Sequence, residues 1–440
     1  VLRFPCPLAA GAETTIDYWI VAADSQAYAE RIHHKLQEEG RDARLVRARQ
    51  YWKEWLAVGN DELTRVDKKY LAMTKKSLMV IKAHTDKRGG IIASIDSSIY
   101  NFGRDYYSYV WPRDGAYAMW PLIRLGYTHE PKRFFEFCRD IIHPDGYLMH
   151  KYQPDRAIGS TWHPLVQEQR SELAIQEDET AGVIYMLGEY YAHSRDREFV
   201  QELYSKLIQP AANFMCQFVD EQTGLPHASY DLWEEKFLTT SYTSSLVVQA
   251  LLVAADFAET FDYPDDDVRW REAASHVEGR LGTFFKNEVG YLAKGFLLKP
   301  GGELEFDNTL DASSAYAGML YMDDKQFSNE IGQTFSAIEQ QMLENQSGGC
   351  PRYPGDNYFR QADQSNPWFI TTLWLAQNYL RQGDDGKTRH YLEWAIDHAQ
   401  PSGVLSEQIH PDTGEALSVM PLVWSHADFI NTVLDLAKVS

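Results

Sequence analysis

From Asp61 to the end of the chain, apolar residues recur at helical spacing in about twelve segments, separated by loops marked by Gly and Pro. Some segments carry one apolar stripe, as in the sets Phe199, Leu203, Leu207, Phe214 and Phe218; Ala274, Val277, Leu281 and Phe284; and Phe327, Ile331, Phe335, Ile338 and Met342. Other segments, such as 245–258 and 421–436, are apolar on nearly every face. A striped helix buries one face, whereas a helix that is apolar all round must lie inside an assembly of helices.

The two kinds of helix tend to alternate along the chain, which predicts two concentric layers with apolar helices inside and striped helices outside. Twelve helices in two such layers form an all-α (α/α)6 barrel. A stack of helical repeats is the alternative, and it would show a sequence period of about 34 to 47 residues. The sequence has no such self-similarity. In a barrel of this kind, we expect the functional groups on loops at one end, where the inner helices begin.

The N-terminal residues follow a different pattern. Residues 15–22 are rich in β-branched and aromatic side chains, which predicts a strand. No partner strand is apparent in the residues that follow, so we interpret this strand as the end of a sheet domain whose remainder is absent from this chain. The next residues are polar and basic, which indicates a solvated linker helix. The expected organisation is a sheet remnant at 1–24, a helical linker at 25–60 and the barrel at 61–440.

Charge and hydropathy narrow the choice of partners. The 440 residues have a formal net charge of −21, which disfavours nucleic acid and anionic membranes and favours a neutral or cationic substrate. The longest apolar stretch contains Gln249 and Asp256, so it falls short of the ~18 uninterrupted apolar residues of a membrane-spanning helix. The first residues lack the pattern of a secretory signal peptide, which favours the cytoplasm and leaves the compartment open.

The cysteines do not indicate a metal site. Cys6, Cys138, Cys216 and Cys350 have no CxxC spacing and no clustered His, as a structural zinc site would require. We therefore expect no metal and no cofactor. Aromatic residues, in contrast, make up 13% of the chain, and part of that excess is suited to a groove that stacks on the C–H faces of sugar rings.

Several loops combine carboxylates with Arg, amide or aromatic side chains. These loops are residues 107–114, 175–180, 230–235, 352–356 followed by 366–369, and 405–408. A single acid before a helix is most often an N-cap or a first-turn charge. That interpretation does not explain why the same mixture recurs in several loops. Brought together at one end of a barrel, these side chains would form a cleft for carbohydrate, in which two acids could cleave a glycosidic bond.

In these motifs and their order, the chain from about Asp61 to its end resembles glycoside hydrolase family 15, the glucoamylases, in the bacterial and archaeal branch. The resemblance implies an (α/α)6 barrel, in agreement with the helix pattern. Prokaryotic members of the family carry a β-sandwich domain before the barrel, joined to it by a helical linker. The predicted strand and basic helix would then be the end of that sandwich domain, mostly absent here, and its linker.

The resemblance also assigns roles within the motifs. In Asp-Leu-Trp-Glu-Glu, the first glutamate, Glu234, would be the general acid, and Glu235 would bind a hydroxyl of the leaving sugar. In the late Glu-Gln pair, Glu407 would be the general base. After Trp-Pro, Arg113 and Asp114 would hold the non-reducing glucose. The remaining positions that match substrate-binding elements are Tyr107, Trp111, Trp162, Asp178, Glu179, Trp233, Arg352 and Trp368.

Two expectations within this assignment concern placement. Asp178 and Glu179 are expected to face the cleft. The general acid must be protonated near the working pH, so its pKa must be raised by burial or by like charge, which Glu235 and the acidic run 177–179 could supply.

The sequence therefore predicts an inverting, exo-acting α-glucoside hydrolase that releases glucose from the non-reducing ends of α-glucans or oligosaccharides. The alternatives within the family are α-1,6-linked isomalto-oligosaccharides or dextran, and trehalose. More distant alternatives are a phosphorylase on a similar barrel and a non-catalytic sugar-binding protein. Both acid positions are glutamate here, Glu234 and Glu407, which argues against these two.

Overall fold

The computed structural model describes residues 3–102, 106–161, 163–167, 170–286, 288–322 and 324–439. The chain divides into two compact units, Val1–Val58 and Gly59–Ser440.

The first unit contains helices α1 (Gln26–Glu39) and α2 (Arg41–Ala57). The hydroxyl of Ser25 accepts a hydrogen bond from the Tyr28 amide at the start of α1. Between the two helices lies Gly40, whose φ of 72° favours glycine. The basic character of this segment is used locally, because Arg44 and Arg47 pair with Glu39 at N–O distances of 3.3 and 2.7 Å.

The strand expected at residues 15–22 finds no partner in the described part of the chain, and the sheet remnant at 1–24 stays a prediction. The structure assigns no strand to these residues, and Ile20 is 81% exposed. A β-strand is stabilised by hydrogen bonds to a neighbouring strand, and the described part of the first unit provides none. High β-propensity alone therefore does not produce a strand here.

The second unit is mainly helical. Its α-helices are α3 (Asn60–Leu63), α4 (Lys68–Ala83), α5 (Pro112–Arg124), α6 (His129–Ile141), α7 (Glu177–Ser194), α8 (Arg197–Leu203), α9 (Gln209–Gln217), α10 (Ser241–Thr260), α11 (Pro264–Glu278), α12 (Ala312–Tyr321), α13 (Asp324–Gln341), α14 (Phe369–Arg381), α15 (Asp385–Asp397) and α16 (Val423–Val439). A π-helical turn, Tyr204–Ile208, joins α8 and α9 into one segment. Short 3-10 helices span Ser98–Phe102 and Leu281–Phe285.

Six helices form a closed inner ring within the described residues. Helices α5, α7, α10, α12, α14 and α16 contact one another in that order, and α16 contacts α5 again. Helices α4, α6, α8 with α9, α11, α13 and α15 pack on the outside of this ring. The inner helices are buried along most of their length, whereas the outer ones bury one stripe. This arrangement confirms the (α/α)6 barrel and the alternation of the two helix types predicted from the sequence.

The strands are short and lie in the loops. They are β1 (Val166–Gln167), β2 (Arg170–Ser171), β3 (Ser229–Tyr230), β4 (Phe237–Thr240), β5 (Gly295–Leu298), β6 (Leu304–Asp307), β7 (Gln408–Ile409) and β8 (Ala416–Leu417). Strands β3, β4, β5 and β6 form one antiparallel sheet in sequence order. The acidic motif at 230–235 therefore lies in the β3–β4 hairpin instead of directly before a helix. The motifs at 107–114 and 175–180 do lead straight into α5 and α7.

Among the described residues, one helix, α10, has the length and apolar composition of a membrane-crossing segment. In its most apolar window, 78% of the residues are buried inside the structure. The position of α10 in the inner ring accounts for this composition, because each inner helix is surrounded by other helices.

The contact between α5 and α6 leaves no room for a side chain at Gly115. A Cβ atom there would lie 2.4 Å from Cε2 of Phe134, a fully buried ring. We expect Gly115→Ala to lower the free energy of unfolding by about 1–3 kcal/mol, as overpacking does. The matched control is Gly332→Ala in α13, where a Cβ would meet nothing within 4 Å.

The control should raise stability by up to about 1 kcal/mol, because alanine has the higher helix propensity. Urea denaturation of both variants measures the contrast. Equal effects of the two substitutions would contradict this account of the α5–α6 contact.

Candidate active site

A cavity of about 540 Å³ lies at the end of the barrel where the inner helices α5, α14 and α16 begin. Ten of the residues singled out from the sequence line it: Tyr107, Trp111, Arg113, Asp114, Trp233, Glu234, Glu235, Arg352, Trp368 and Glu407. Four acids, two arginines and four aromatic rings thus come from loops far apart in the chain and meet around one space.

Two other predicted site residues, Asp178 and Glu179, are not on this wall. Asp178 and Glu179 are both fully buried, and they lie behind Arg113 instead of facing the cleft, which corrects the expectation. The reason is that an arginine as buried as Arg113 requires carboxylates around it. Trp162 lies outside the described residues.

Arg113 is held by the first turn of the neighbouring inner helix. Its Nη1 lies 3.1 Å from Asp178 Oδ2 and 3.2 Å from Glu179 Oε1, and its backbone amide donates to Glu179 Oε2. Its Nη2 lies 3.3 Å from Asp114 Oδ2, so the guanidinium also orients an acid on the cavity wall. Burial raises the pKa of Asp178, Glu179 and Asp114, and Arg113 acts in the opposite direction. The cluster joins the starts of α5 and α7.

Glu234 lies in the turn of the β3–β4 hairpin with a φ of 61°, a left-handed conformation that is uncommon for a residue other than glycine. The turn is closed by Asp231, whose carbonyl accepts from the Glu234 amide at 2.9 Å. Trp111 Nε1 donates to Glu234 Oε1 at 2.7 Å. The carboxyl group therefore has a fixed position on the cavity wall.

Burial raises the pKa of Glu234 to about 7, against the opposing effects of Arg113, Lys151 and the Trp111 hydrogen bond. The nearby like charge that adds to the rise is Asp114. Glu235, expected from the sequence to supply like charge, turns to Arg352 instead. Of the two expected causes, burial is thus the main one and like charge the smaller.

Glu235 belongs to a separate group of side chains. Arg352 Nη2 donates to Glu235 Oε1 at 2.7 Å, and the Tyr353 hydroxyl donates to Glu235 Oε2. Arg352 is itself held by Asp356, with both nitrogen–oxygen distances at 2.7 Å. Its guanidinium also lies 4.6 Å from the ring centroid of Trp368. Glu235 therefore follows Glu234 in the same turn, but its carboxylate is bound by side chains of the 352–356 segment.

Glu407 accepts hydrogen bonds on both carboxylate oxygens. Tyr107 donates to Oε1 at 2.9 Å, while Gln408 donates to Oε2 at 3.2 Å and Ser418 donates to the same oxygen. Burial raises the pKa of Glu407 to about 7, and these three donors oppose the rise because they favour the ionised form. Tyr107 also lies 2.6 Å from the hydroxyl of Tyr358.

One cavity thus holds two carboxyl groups, the half-buried Glu234 and the buried Glu407, that are bound by different aromatic residues. Glu234 is bound by Trp111 and Glu407 by Tyr107, and the centroids of these two rings are 5.8 Å apart. Each ring thus holds one of the two carboxyl groups at its own position on the cavity wall. Such a pair can divide the work of proton donation and water activation between its members.

Sequence analysis missed several residues of this cavity. Lys151, Tyr358 and Trp424 line it, and Ser418 contacts Glu407. Tyr358 and Ser418 each follow a motif that was recognised, and this proximity is the signal that could have identified them. Lys151 and Trp424 carry no comparable signal in the local sequence.

Comparison with known proteins gives a consistent family. The family model described as "Glycosyl hydrolases family 15" matches residues 68–393 and 385–434. An uncharacterized glycosyl hydrolase of Methanocaldococcus jannaschii is 31% identical over 88% of this chain and 60% of its own length. Trehalase 2 of Sulfolobus acidocaldarius is 24% identical over 80% of this chain and 61% of its own length.

Two further similarities extend these comparisons. An isomaltose glucohydrolase of Kribbella flavida is 22% identical over 81% of this chain and 91% of its own length. The crystal structure of a bacterial glucoamylase complexed with acarbose superimposes with a TM-score of 0.74 at 19% identity, covering 94% of this chain and 62% of that one. The first two relatives are longer, and this chain spans about 60% of their length.

The Arg113 cluster generates a stability prediction. Arg113→Met removes the guanidinium that pairs with Asp178 and Glu179, so two buried carboxyl groups lose it together. Removing one partner of a buried ion pair typically costs about 3–5 kcal/mol, and we expect a loss of that order at neutral pH.

The loss should shrink as the pH falls. Burial raises the folded-state pKa of both carboxyl groups above their unfolded values, so the uncompensated variant is penalised most where they ionise. Urea denaturation at about pH 5 and about pH 7 measures the difference. The control is Arg113→Met combined with Asp178→Asn and Glu179→Gln, which should recover part of the loss. Unchanged stability of Arg113→Met at both pH values would contradict the assigned contact.

Proposed function

The chain belongs to glycosyl hydrolase family 15, and on that premise we propose that it is an inverting, exo-acting α-glucoside hydrolase. Its product would be β-D-glucose, released from the non-reducing ends of α-glucans or oligosaccharides. The observation that carries the proposal is the pair of carboxyl groups, Glu234 and Glu407, in one cavity with separate hydrogen-bond partners.

Glu234 is the proposed general acid. A glycosidic oxygen leaves poorly as an alkoxide, so it needs a proton in the transition state. A pKa raised to about 7 keeps a substantial fraction of Glu234 protonated near neutral pH. The indole N–H of Trp111 holds one carboxyl oxygen, which leaves the other oxygen of Glu234 to carry and deliver the proton.

Glu407 is the proposed general base. Tyr107, Gln408 and Ser418 donate to it, and these donors favour the ionised carboxylate that must take a proton from water. In an inverting mechanism the water attacks the anomeric carbon from the face opposite the leaving group. The product anomer is then β when the substrate is an α-glucoside.

The shape of the barrel supports attack at a chain end. The centre of the inner ring is filled, and the buried hydroxyl of Tyr117 lies 2.6 Å from the hydroxyls of both Tyr242 and Tyr321. A sugar chain can therefore enter the cavity at the end of the barrel without passing through it. Asp114 and Arg113, at the start of α5, would hold the terminal glucose by charged hydrogen bonds.

Which linkage the enzyme cleaves depends on how the cavity binds the second sugar. The comparisons support two alternatives to an α-1,4-linked substrate, namely trehalose and α-1,6-linked oligosaccharides. Among the relatives are a trehalase and an isomaltose glucohydrolase, as well as a structure of a glucoamylase. The proposed contacts of Arg113 and Asp114 with the terminal glucose suit each of these substrates. The group formed by Glu235, Arg352 and Tyr353 would meet the leaving sugar, so its fit to a 1,4-, 1,6- or 1,1-linked glucose would set the preference.

The first test is a substrate panel read by product anomer. Maltose, isomaltose, trehalose and starch are incubated side by side, and glucose release is measured. Proton NMR in the first minutes of turnover should show the β-anomer first from maltose or isomaltose, because inversion of an α-bond requires it. A dominant α-anomer would overturn the assignment of Glu234 and Glu407. If none of the four substrates released glucose, the proposed α-glucoside hydrolase activity would be overturned.

The second test separates the acid from the base. Glu234→Gln should lose about two or more orders of magnitude in kcat on the preferred natural substrate, yet retain most activity on α-glucosyl fluoride, whose leaving group needs little protonation. Glu407→Gln, the matched control, should lose roughly 10²–10⁴-fold on both, because each needs an activated water.

The pH dependence of kcat/KM provides a further test of the roles proposed for Glu234 and Glu407. Wild-type kcat/KM on α-glucosyl fluoride should fall as pH drops below about 7, as Glu407 takes up its proton. On the natural substrate it should also fall above about 7, as Glu234 loses its proton. The profile on natural substrate is therefore a narrow bell. Persistence of the high-pH decline in Glu234→Gln would assign that limb to another group.

A further inference from the structure

We propose that Lys294 is a positioning residue for the catalytic acid, because its ammonium group joins the two buried carboxylates that fix the turn carrying Glu234. This inference rests on the proposed function of Glu234 as the proton donor. Lys294 lies just before strand β5, outside the motifs recognised in the sequence and outside the cavity wall.

The three charged groups form a compact buried cluster. Lys294 Nζ lies 2.6 Å from Asp231 Oδ2 and 3.0 Å from Asp311 Oδ2. The side chains of Lys294 and Asp231 are each 2% exposed and that of Asp311 is not exposed. A charge removed from water to this degree is found in proteins only when it is paired, so each member requires the others.

Asp231 fixes the backbone of the turn that carries Glu234. Its Oδ1 accepts from the amides of Glu235 and Lys236 at 2.7 and 3.0 Å, and its carbonyl accepts from the Glu234 amide at 2.9 Å. These bonds hold Glu234 at its φ of 61°. A left-handed conformation is strained in a residue other than glycine, and it persists only where the surroundings over-determine it.

Asp311 fixes the side chain of Trp233, the residue before Glu234. Its two carboxylate oxygens accept from Trp233 Nε1 at 3.0 and 3.1 Å. The same side chain caps helix α12 of the inner ring by accepting from the Ser313 amide at 2.8 Å. Trp233 is thereby tied to the barrel wall, and Glu234 follows it in the chain.

Lys294 connects these two attachments and is itself fixed by the sheet. Its amide donates to the Asp307 carbonyl at 3.0 Å, and its carbonyl accepts from the Ser241 amide at 3.0 Å. Without the ammonium group, Asp231 and Asp311 would be two buried carboxylates near each other with no shared cation. Their repulsion and rehydration would loosen the turn, and Glu234 would lose its alignment with the glycosidic oxygen.

The test compares substrates that do and do not need the acid. Lys294→Met should lower kcat on the preferred natural substrate by on the order of 10²-fold, the effect of a small misplacement of a catalytic group. Activity on α-glucosyl fluoride should stay within about threefold of wild type, since that substrate needs little protonation. The high-pH limb of the natural-substrate profile should also move, because the environment of Glu234 changes.

A matched control is Lys82→Met. Lys82 pairs with the buried Glu130 at 2.6 Å and does not line the cavity, so its loss should affect stability without changing the ratio of the two activities. If Lys294→Met does not fold, Asp311→Asn provides the same test, because Lys294 keeps Asp231 as its partner while the contacts of residue 311 with Lys294 and Trp233 are weakened.

The outcomes separate this inference from the proposed function. Equal losses on both substrates, or no loss on either, would overturn the positioning role of Lys294. In a Glu234→Gln background, adding Lys294→Met should cause no further loss on the natural substrate, and a further loss of about tenfold would also overturn it. If Glu234→Gln alone does not distinguish the two substrates, the acid assignment fails whatever Lys294 does.

Discussion

The start of helix α5 is the constraint on which the rest of the site depends. Along residues 107–113, Tyr107 donates to Glu407, the proposed base, and Trp111 donates to Glu234, the proposed acid. In the same segment, Arg113 is held by the first turn of α7. One short segment thus contacts both carboxyl groups and locks to the neighbouring inner helix. Helices α5 and α7 are buried in a closed ring, so the segment has little freedom to shift. The two carboxyl groups that it contacts are therefore held in place as well.

Desolvation raises the pKa of both acids, so burial alone cannot make one of them a donor and the other an acceptor. Their hydrogen-bond partners differ instead. Glu407 receives donors on both oxygens, which favours its charged form, whereas Glu234 receives the Trp111 indole on one oxygen. The proposed division of roles follows from this asymmetry, and a substrate that excludes the remaining water would strengthen it.

The sequence predicted the barrel because burial on all sides and burial on one face leave different hydrophobic patterns, as in α10 and α13. It also predicted most of the cavity wall, because the residues lie in dense motifs. It is less informative where the outcome depends on a distant partner. The strand expected at 15–22 has no partner in the described part of the chain, and the burial of Asp178 behind Arg113 depends on how two helices meet. Lys294 could not be identified because each of its partners lies in another segment of the chain.

The placement of the two glutamates in one turn also limits how specificity can change. Glu234 and Glu235 are adjacent, so the proposed proton donor and the proposed contact to the leaving sugar move together. The residues proposed to bind the terminal glucose, in contrast, belong to α5. Arg352 reaches Glu235 from a third segment and is fixed by Asp356 within its own loop. A change in that loop can therefore alter the second-sugar pocket while the acid and the glucose grip keep their positions, which gives a physical route by which one barrel can serve several α-linkages.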